Sequence, residues 1–152
     1  MDRHAWITQP TFFTDYNLGK RFPARLAEAG IDVEPHIQHF RQDCPDEDWL
    51  AEIGRRGWVA LTHDRRIRYK PNELAAVMQH RVALLVIIGD APFPELADAF
   101  VATLPRVLSF IEGHRPPYIA KVYRPSATEA AANNKAPGRI ELWHPRDSRD
   151  GR

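Results

Sequence analysis

The stretch Trp58-Val59-Ala60-Leu61-Thr62-His63-Asp64 decides the fold, because it reads as a short apolar strand that runs into a carboxylate. Thr11-Phe12-Phe13-Thr14-Asp15 has the same form. Val82 to Ile88 is a further apolar run without polar alternation, as expected for a strand covered on both faces. Helical patterns separate these runs. Leu18, Phe22, Leu26 and Ala29 repeat at helical spacing, with Gly30 as the stop. Pro45-Asp46 opens a helix with Trp49, Leu50 and Ile53 on one face, ending near Gly57. Another helix starts at Pro71 or Asn72 and carries Leu74, Val77 and Met78. Val33 to His36 reads as a weak strand between the first two helices.

Beyond Ile88, Pro94 begins a longer helix with Leu96, Phe100, Leu104, Leu108 and Ile111 on its apolar stripe, and Pro105 is expected to kink or divide it. Tyr118 to Tyr123 alternates like a strand. Residues 125–139, with an alanine run, Asn133-Asn134 and Pro137-Gly138, read as a flexible loop. Ile140 to Trp143 returns as an edge strand, followed by a frayed polar tail. The expected organisation is an extension over residues 1–10, a domain over 11–124, the loop over 125–139, and the edge strand and tail over 140–152. Strands alternating with helices imply βαβ units and an α/β fold with a mainly parallel sheet. In such sheets ligands sit beyond the carboxyl ends of the strands.

The bulk numbers set limits. A chain of 152 residues suits one domain. A net charge of +1 excludes a molecule that is cationic overall, so attraction for a polyanion needs a local patch. The single cysteine, Cys44, excludes an internal disulfide framework and suits a reducing compartment. The N-terminus lacks an apolar signal core, and no run is long enough to span a membrane. The expectation is a cytoplasmic protein without a membrane partner.

The carboxyl ends of the strands carry Asp15 and Asp64. A strand-ending Asp can simply cap the next turn. Two of them in one parallel sheet favour a site. Asp46 precedes Trp49, Leu50 and Ile53 by three, four and seven residues, so it shares their inward face, whereas Glu47 and Asp48 do not. It either caps its helix or points to the sheet edge. Converging carboxylates repel one another, and a divalent cation relieves that repulsion. Oxygen-only ligands favour Mg²⁺ or Mn²⁺ over zinc.

Three segments, Thr14-Asp15-Tyr16-Asn17-Leu18-Gly19, Pro45-Asp46-Glu47-Asp48-Trp49-Leu50 and Trp58 to Ile67, resemble the three acidic motifs of PIN-like nucleases. The similarity covers roughly residues 11–90 and is closest to the branch that includes the VapC-type toxins of toxin–antitoxin pairs. The resemblance implies a three-layer α/β/α PIN-like domain and a Mg²⁺- or Mn²⁺-dependent ribonuclease. It places Asp15, Asp46 and Asp64 in the catalytic metal site. It also implies an RNA substrate, a cognate antitoxin that covers the site, and a two-fold dimer. There is a departure. Many PIN domains carry a fourth acidic residue just beyond the third, where this chain has Arg65, Arg66, Ile67 and Arg68. Asp90 is the candidate substitute.

Arg65, Arg66, Arg68 and Lys70 follow Asp64 and are candidate RNA-backbone contacts, the bland alternative being a solvated face. Tyr69 among them is suited to stacking on an unpaired base. Lys20 and Arg21 extend the basic rim. Asn17 either caps the first helix or orients a carboxylate. His36, His39 and Cys44 lack the spacing of a zinc site and read as loop residues, with His39 or His63 near the mouth of the site. Phe12, Phe13, Trp49 and Trp58 read as core, and Trp143 as an interface anchor. Two other functions stay open on the residues alone. One is a non-catalytic binding module on the same fold. The other is an aspartyl phosphotransfer domain, against which stands the absence of a second acid beside Asp15.

Overall fold

A computed structural model describes residues 9–146. Most of the expected extension over 1–10 and the tail from 147 onward lie outside the described residues. The elements are β1 (Phe12–Thr14), α1 (Arg21–Glu28), β2 (Val33–Pro35), α2 (Asp46–Arg56), β3 (Val59–Thr62), α3 (Pro71–Gln79), β4 (Ala83–Ile87), α4 (Phe93–Gly113), β5 (Tyr118–Tyr123), α5 (Ala127–Ala132) and β6 (Arg139–His144).

The strands form one sheet in the order β2-β1-β3-β4-β5-β6. All pairs are parallel except β5 with β6. Alternation along each strand sends side chains to opposite faces. Phe12, Leu61, Leu85 and Ala120 join α1 and α4 in one core. Phe13, Ala60, Leu84, Val86 and Ile119 join α2 and α3 in the other. The result has the mainly parallel sheet that the alternation of elements implied and the three-layer α/β/α arrangement that the resemblance implied.

The order also fixes where the chemistry can be. From β1 the chain passes through α1 to β2 on one side, then through α2 to β3 on the other. β1 and β3 are therefore neighbours, and the helices that follow them, α1 and α3, lie on opposite faces. That is a topological switch point, where a crevice opens beyond the strand ends.

Four local expectations need correction. The first helical pattern is broken: a 3₁₀ turn spans Tyr16–Leu18, and α1 starts only at Arg21. Gly19, at φ +68, makes the break, and Phe93 crowds it so closely that a Cβ would lie 3.1 Å from its ring. Helix α4 runs unbroken through Pro105. Pro105 is on the exposed outer side, where water can satisfy the carbonyl that loses its N–H donor, so the helix continues. Residues 125–139 carry helix α5, started by a capping box in which Ser126 and Glu129 bond each other's backbone amides. The segment is tied to α4, because Gly138 N–H donates to Thr103 Oγ1 and its carbonyl accepts from Arg106. Trp58, expected in the core, is only half buried, under Arg56 and against His39. Among the described residues no helix is long and apolar enough to cross a membrane.

Candidate functional site

Asp15 follows β1 and Asp64 lies two residues past β3, so both sit at the carboxyl edge of adjacent strands. Thr62, the last residue of β3, organises them. Its Oγ1 donates to Asp15 Oδ2 at 2.8 Å and accepts from the Asp64 amide at 3.2 Å. It also accepts from Asn17 Nδ2 at 3.0 Å. Asn17 Oδ1 in turn accepts from the His63 amide at 3.0 Å. Asn17 thus stitches the turn after β1 to the end of β3 and, through Thr62, holds the Asp15 carboxylate and the Asp64 backbone.

Asp15 is buried, and Oδ1 also accepts from the Tyr16 amide at 2.7 Å, capping the 3₁₀ turn. The capping role and the inward placement coexist, because each oxygen has its own donor. Burial is the largest influence on its acidity. Opposed by the Thr62 and Tyr16 bonds but reinforced by the charges of Asp46 and Asp64, it raises the carboxyl from 3.8 to about 6. The charges of Asp46 and Asp64 thus both reach Asp15.

Asp46 is the first residue of α2 rather than its cap, a position taken by Pro45. Its Oδ1 accepts from the Trp49 indole at 3.0 Å, three residues on and so on the same helix face. Asp64 uses Oδ1 to accept from the Arg66 amide at 2.9 Å, and Oδ2 meets Lys70 Nζ at 2.6 Å. Lys70 also feels the charge of Asp46. An ammonium therefore occupies one of these carboxylates, Asp64. Among the described residues no group of three or more His, Cys, Asp or Glu side chains is drawn together as a metal site. The donor chemistry itself, a desolvated Asp15 with two further carboxylates, Asp46 and Asp64, whose charges reach it, suits a hard divalent cation. Closing it requires Lys70 to leave Asp64.

The other candidates separate. Asp90 is exposed and paired with Arg65, and its charge is not among those acting on Asp15. Arg66 is exposed. Arg68 turns to Tyr69 and Trp143. Among the described residues of the basic run, Lys70 alone bonds one of the three aspartates through its side chain, Arg66 doing so only through its backbone amide. His63 packs edge-on against Phe93, and burial lowers its pKa. His39 instead bonds Glu34 at 2.7 Å, at the start of the β2 side of the sheet.

Two neighbours of the site escaped the sequence reading. Thr62 had a signal, a hydroxyl at the last position of an apolar strand. His36 is buried among Phe13, Tyr16, Phe40 and Trp49, within reach of the charge of Asp46, and its Nδ1 has no partner. Its signal was positional. It directly follows β2, which runs parallel to β1, so it falls at the same edge.

Comparison with known families bears on the fold. The family model described as a PIN like domain matches residues 10–89, which contain β1 through β4 and all three aspartates. No curated protein and no solved structure gave a match.

Proposed function

The chain belongs to the PIN-like domain family, which is nuclease-related, and from that premise we propose that it is a metal-dependent endoribonuclease and the toxin of a toxin–antitoxin pair. The reading is supported above all by one observation: Asp15 and Asp64 end neighbouring strands at the switch point of the sheet, with the charge of Asp46 acting on Asp15. Asp15, Asp46 and Asp64 would hold Mg²⁺ or Mn²⁺. When bound, the ion would lower the pKa of a water and offset the charge that grows on the leaving oxygen.

The rest falls to the chain's own groups. Thr62 orients the Asp15 carboxylate and the Asp64 backbone, while the Trp49 indole orients Asp46. Lys70, bonded to Asp64 and released from it by the metal, would hold a backbone phosphate as a point charge. Arg66 would add to that hold, and Arg68, turned toward Trp143, would meet the RNA farther along its backbone. Unpaired segments are the favoured substrates, since the deep groove of duplex RNA hides its bases. An antitoxin would cover the same crevice, and the toxin would act in the cytoplasm, as a two-fold dimer.

The test is cleavage of RNA with Mg²⁺ or Mn²⁺ by wild type, Asp15→Asn and Asp64→Asn. Both variants should lose cleavage; full activity in both would remove the site assignment. A small DNA-binding protein encoded beside this chain, inhibiting cleavage when mixed with it, is expected for the toxin role. A second reading, a non-catalytic binding module, is favoured by the Lys70–Asp64 pair and by the outward placement of Asp90. Calorimetry with Mn²⁺ separates the two, the module being the reading that predicts no heat of binding.

A further inference from the structure

Tyr69 is the most exposed large aromatic among the described residues, at 69%. It is also held in place. Its ring meets Trp143 of β6 edge-on, with centroids 5.7 Å apart and planes at 81°. Trp143 is half buried and already engaged, with Lys121 Nζ 4.0 Å from its centroid and Arg68 Cζ at 5.5 Å. Arg68 also lies 5.7 Å from the Tyr69 centroid. A solvated tyrosine needs no such buttress. An exposed ring fixed by a second aromatic, with Arg68 beside both rings and Lys121 against the second, has the composition of a platform for a nucleobase and its flanking phosphates.

The surroundings fit the same ligand. A groove of about 610 Å³ adjoins Trp143 and is lined by Arg68, Arg146, His114 and Phe110. The one carboxylate lining it, Glu141, is paired with Arg139 at 3.2 Å, so the groove is left basic. The position relative to the aspartates is also suitable. Tyr69 directly precedes Lys70, whose ammonium touches Asp64. Trp143 and Lys121 lie outside residues 10–89, so the C-terminal strands add this feature to the family domain.

We propose that Tyr69, buttressed by Trp143, stacks on an unpaired base of single-stranded RNA, while Arg68 and Lys121 hold the adjoining phosphates. The proposal rests on the ribonuclease reading and specifies its substrate class and a subsite.

The test is binding of a short single-stranded oligoribonucleotide carrying 2-aminopurine, followed by anisotropy and by quenching of the base. EDTA is present to prevent cleavage. The proteins are wild type, Tyr69→Ala and Tyr69→Phe, each checked for folding by circular dichroism. Tyr69→Ala should bind on the order of tenfold more weakly and lose the quenching, the size expected for one base–aromatic stack. Tyr69→Phe should keep both, because the ring and not the hydroxyl carries the contact. Duplex RNA of the same sequence should bind more weakly than the single strand. Equal affinities for wild type and Tyr69→Ala, or equal binding of single strand and duplex, would overturn the proposal, as would no binding by wild type. Cleavage by wild type with Mn²⁺ is scored separately. Tyr69-dependent binding without cleavage keeps the subsite and removes the nuclease, whereas cleavage with binding indifferent to Tyr69 does the reverse.

Discussion

Lys70 Nζ lies 2.6 Å from Asp64 Oδ2 and feels the charge of Asp46 as well, so the chain supplies its own cation to the carboxylate crevice. A divalent ion entering there has to displace that ammonium and is repelled by it until it does. Removing the amine should therefore tighten metal binding. The pair is partly exposed, Lys70 at 45% and Asp64 at 17%, which limits its worth to about 0.5–1 kcal/mol. Lys70→Met should bind Mn²⁺ about 2- to 5-fold more tightly by calorimetry. It should at the same time bind RNA more weakly. Unchanged or weaker Mn²⁺ binding would show that Lys70 does not compete for the site.

Asp15 makes stability depend on pH. Burial, helped by the charges of Asp46 and Asp64, raises its folded-state pKa from 3.8 to about 6. The folded protein then holds the proton more tightly than the unfolded chain. The stabilisation is full below about pH 4 and is lost as pH rises through about 6. Other carboxylates titrate in the same range, so the useful quantity is the difference between wild type and Asp15→Asn in urea unfolding without metal. Wild type should lose at most about 3 kcal/mol relative to the variant between about pH 4 and pH 7. A difference that stays flat with pH would mean that Asp15 ionises as an ordinary surface carboxylate. Saturating Mn²⁺ should flatten it too, by favouring the charged form.

Thr62 is the joint between the two strand ends. Its hydroxyl donates to Asp15 and accepts from Asn17 and from the Asp64 amide. Thr62→Val keeps the shape and removes all three bonds. The Asp15 carboxylate would lose a donor while staying buried, at a cost of about 1–3 kcal/mol. Groups that orient ligands in this way are typically worth about 10- to 100-fold in metal affinity. Thr62→Val should therefore weaken Mn²⁺ binding by that order in calorimetry. Thr62→Ser, which keeps the hydroxyl, should restore most of it. Failure of serine to do so would assign the effect to packing of the methyl group.

The parts of this arrangement legible in the sequence were those set by local pattern. Apolar runs ending in Asp15 and Asp64 located the strand ends, and the three-residue step from Asp46 to Trp49 reappears as a hydrogen bond. Contacts between distant segments were not legible. That β1 and β3 are neighbours depends on the crossing of α1 and α2, and no local pattern encodes it. The basic run looked like one surface because its members are adjacent in sequence. A 3₁₀ turn at Ile67–Tyr69 sends them apart, with Arg65 to Asp90, Arg68 to Trp143 and Lys70 to Asp64. Helix α5 did have a local signal, Ser126 three residues before Glu129, but its alanines suggest no buried face and its flanking Pro and Asn residues suggest a loop.

Gly54 sets the distance between α2, which starts at Asp46, and α3, which starts just after Lys70. Two effects oppose each other there. Alanine in a helix interior is favoured over glycine by about 1 kcal/mol. A Cβ at position 54, however, would lie 2.2 Å from the His80 backbone oxygen and 3.0 Å from its Cβ. Backbone atoms cannot rotate out of the way, so the helix ends must move apart, and such overpacking costs about 1–3 kcal/mol. The clash should win. Gly54→Ala should unfold at lower urea concentration, by up to about 2 kcal/mol, despite its better helix propensity. The separation of α2 from α3 should also draw Asp46 away from Asp64 and weaken Mn²⁺ binding. A more stable Gly54→Ala protein would mean that the two helices do not meet this closely, and that Asp46 is not placed by their contact.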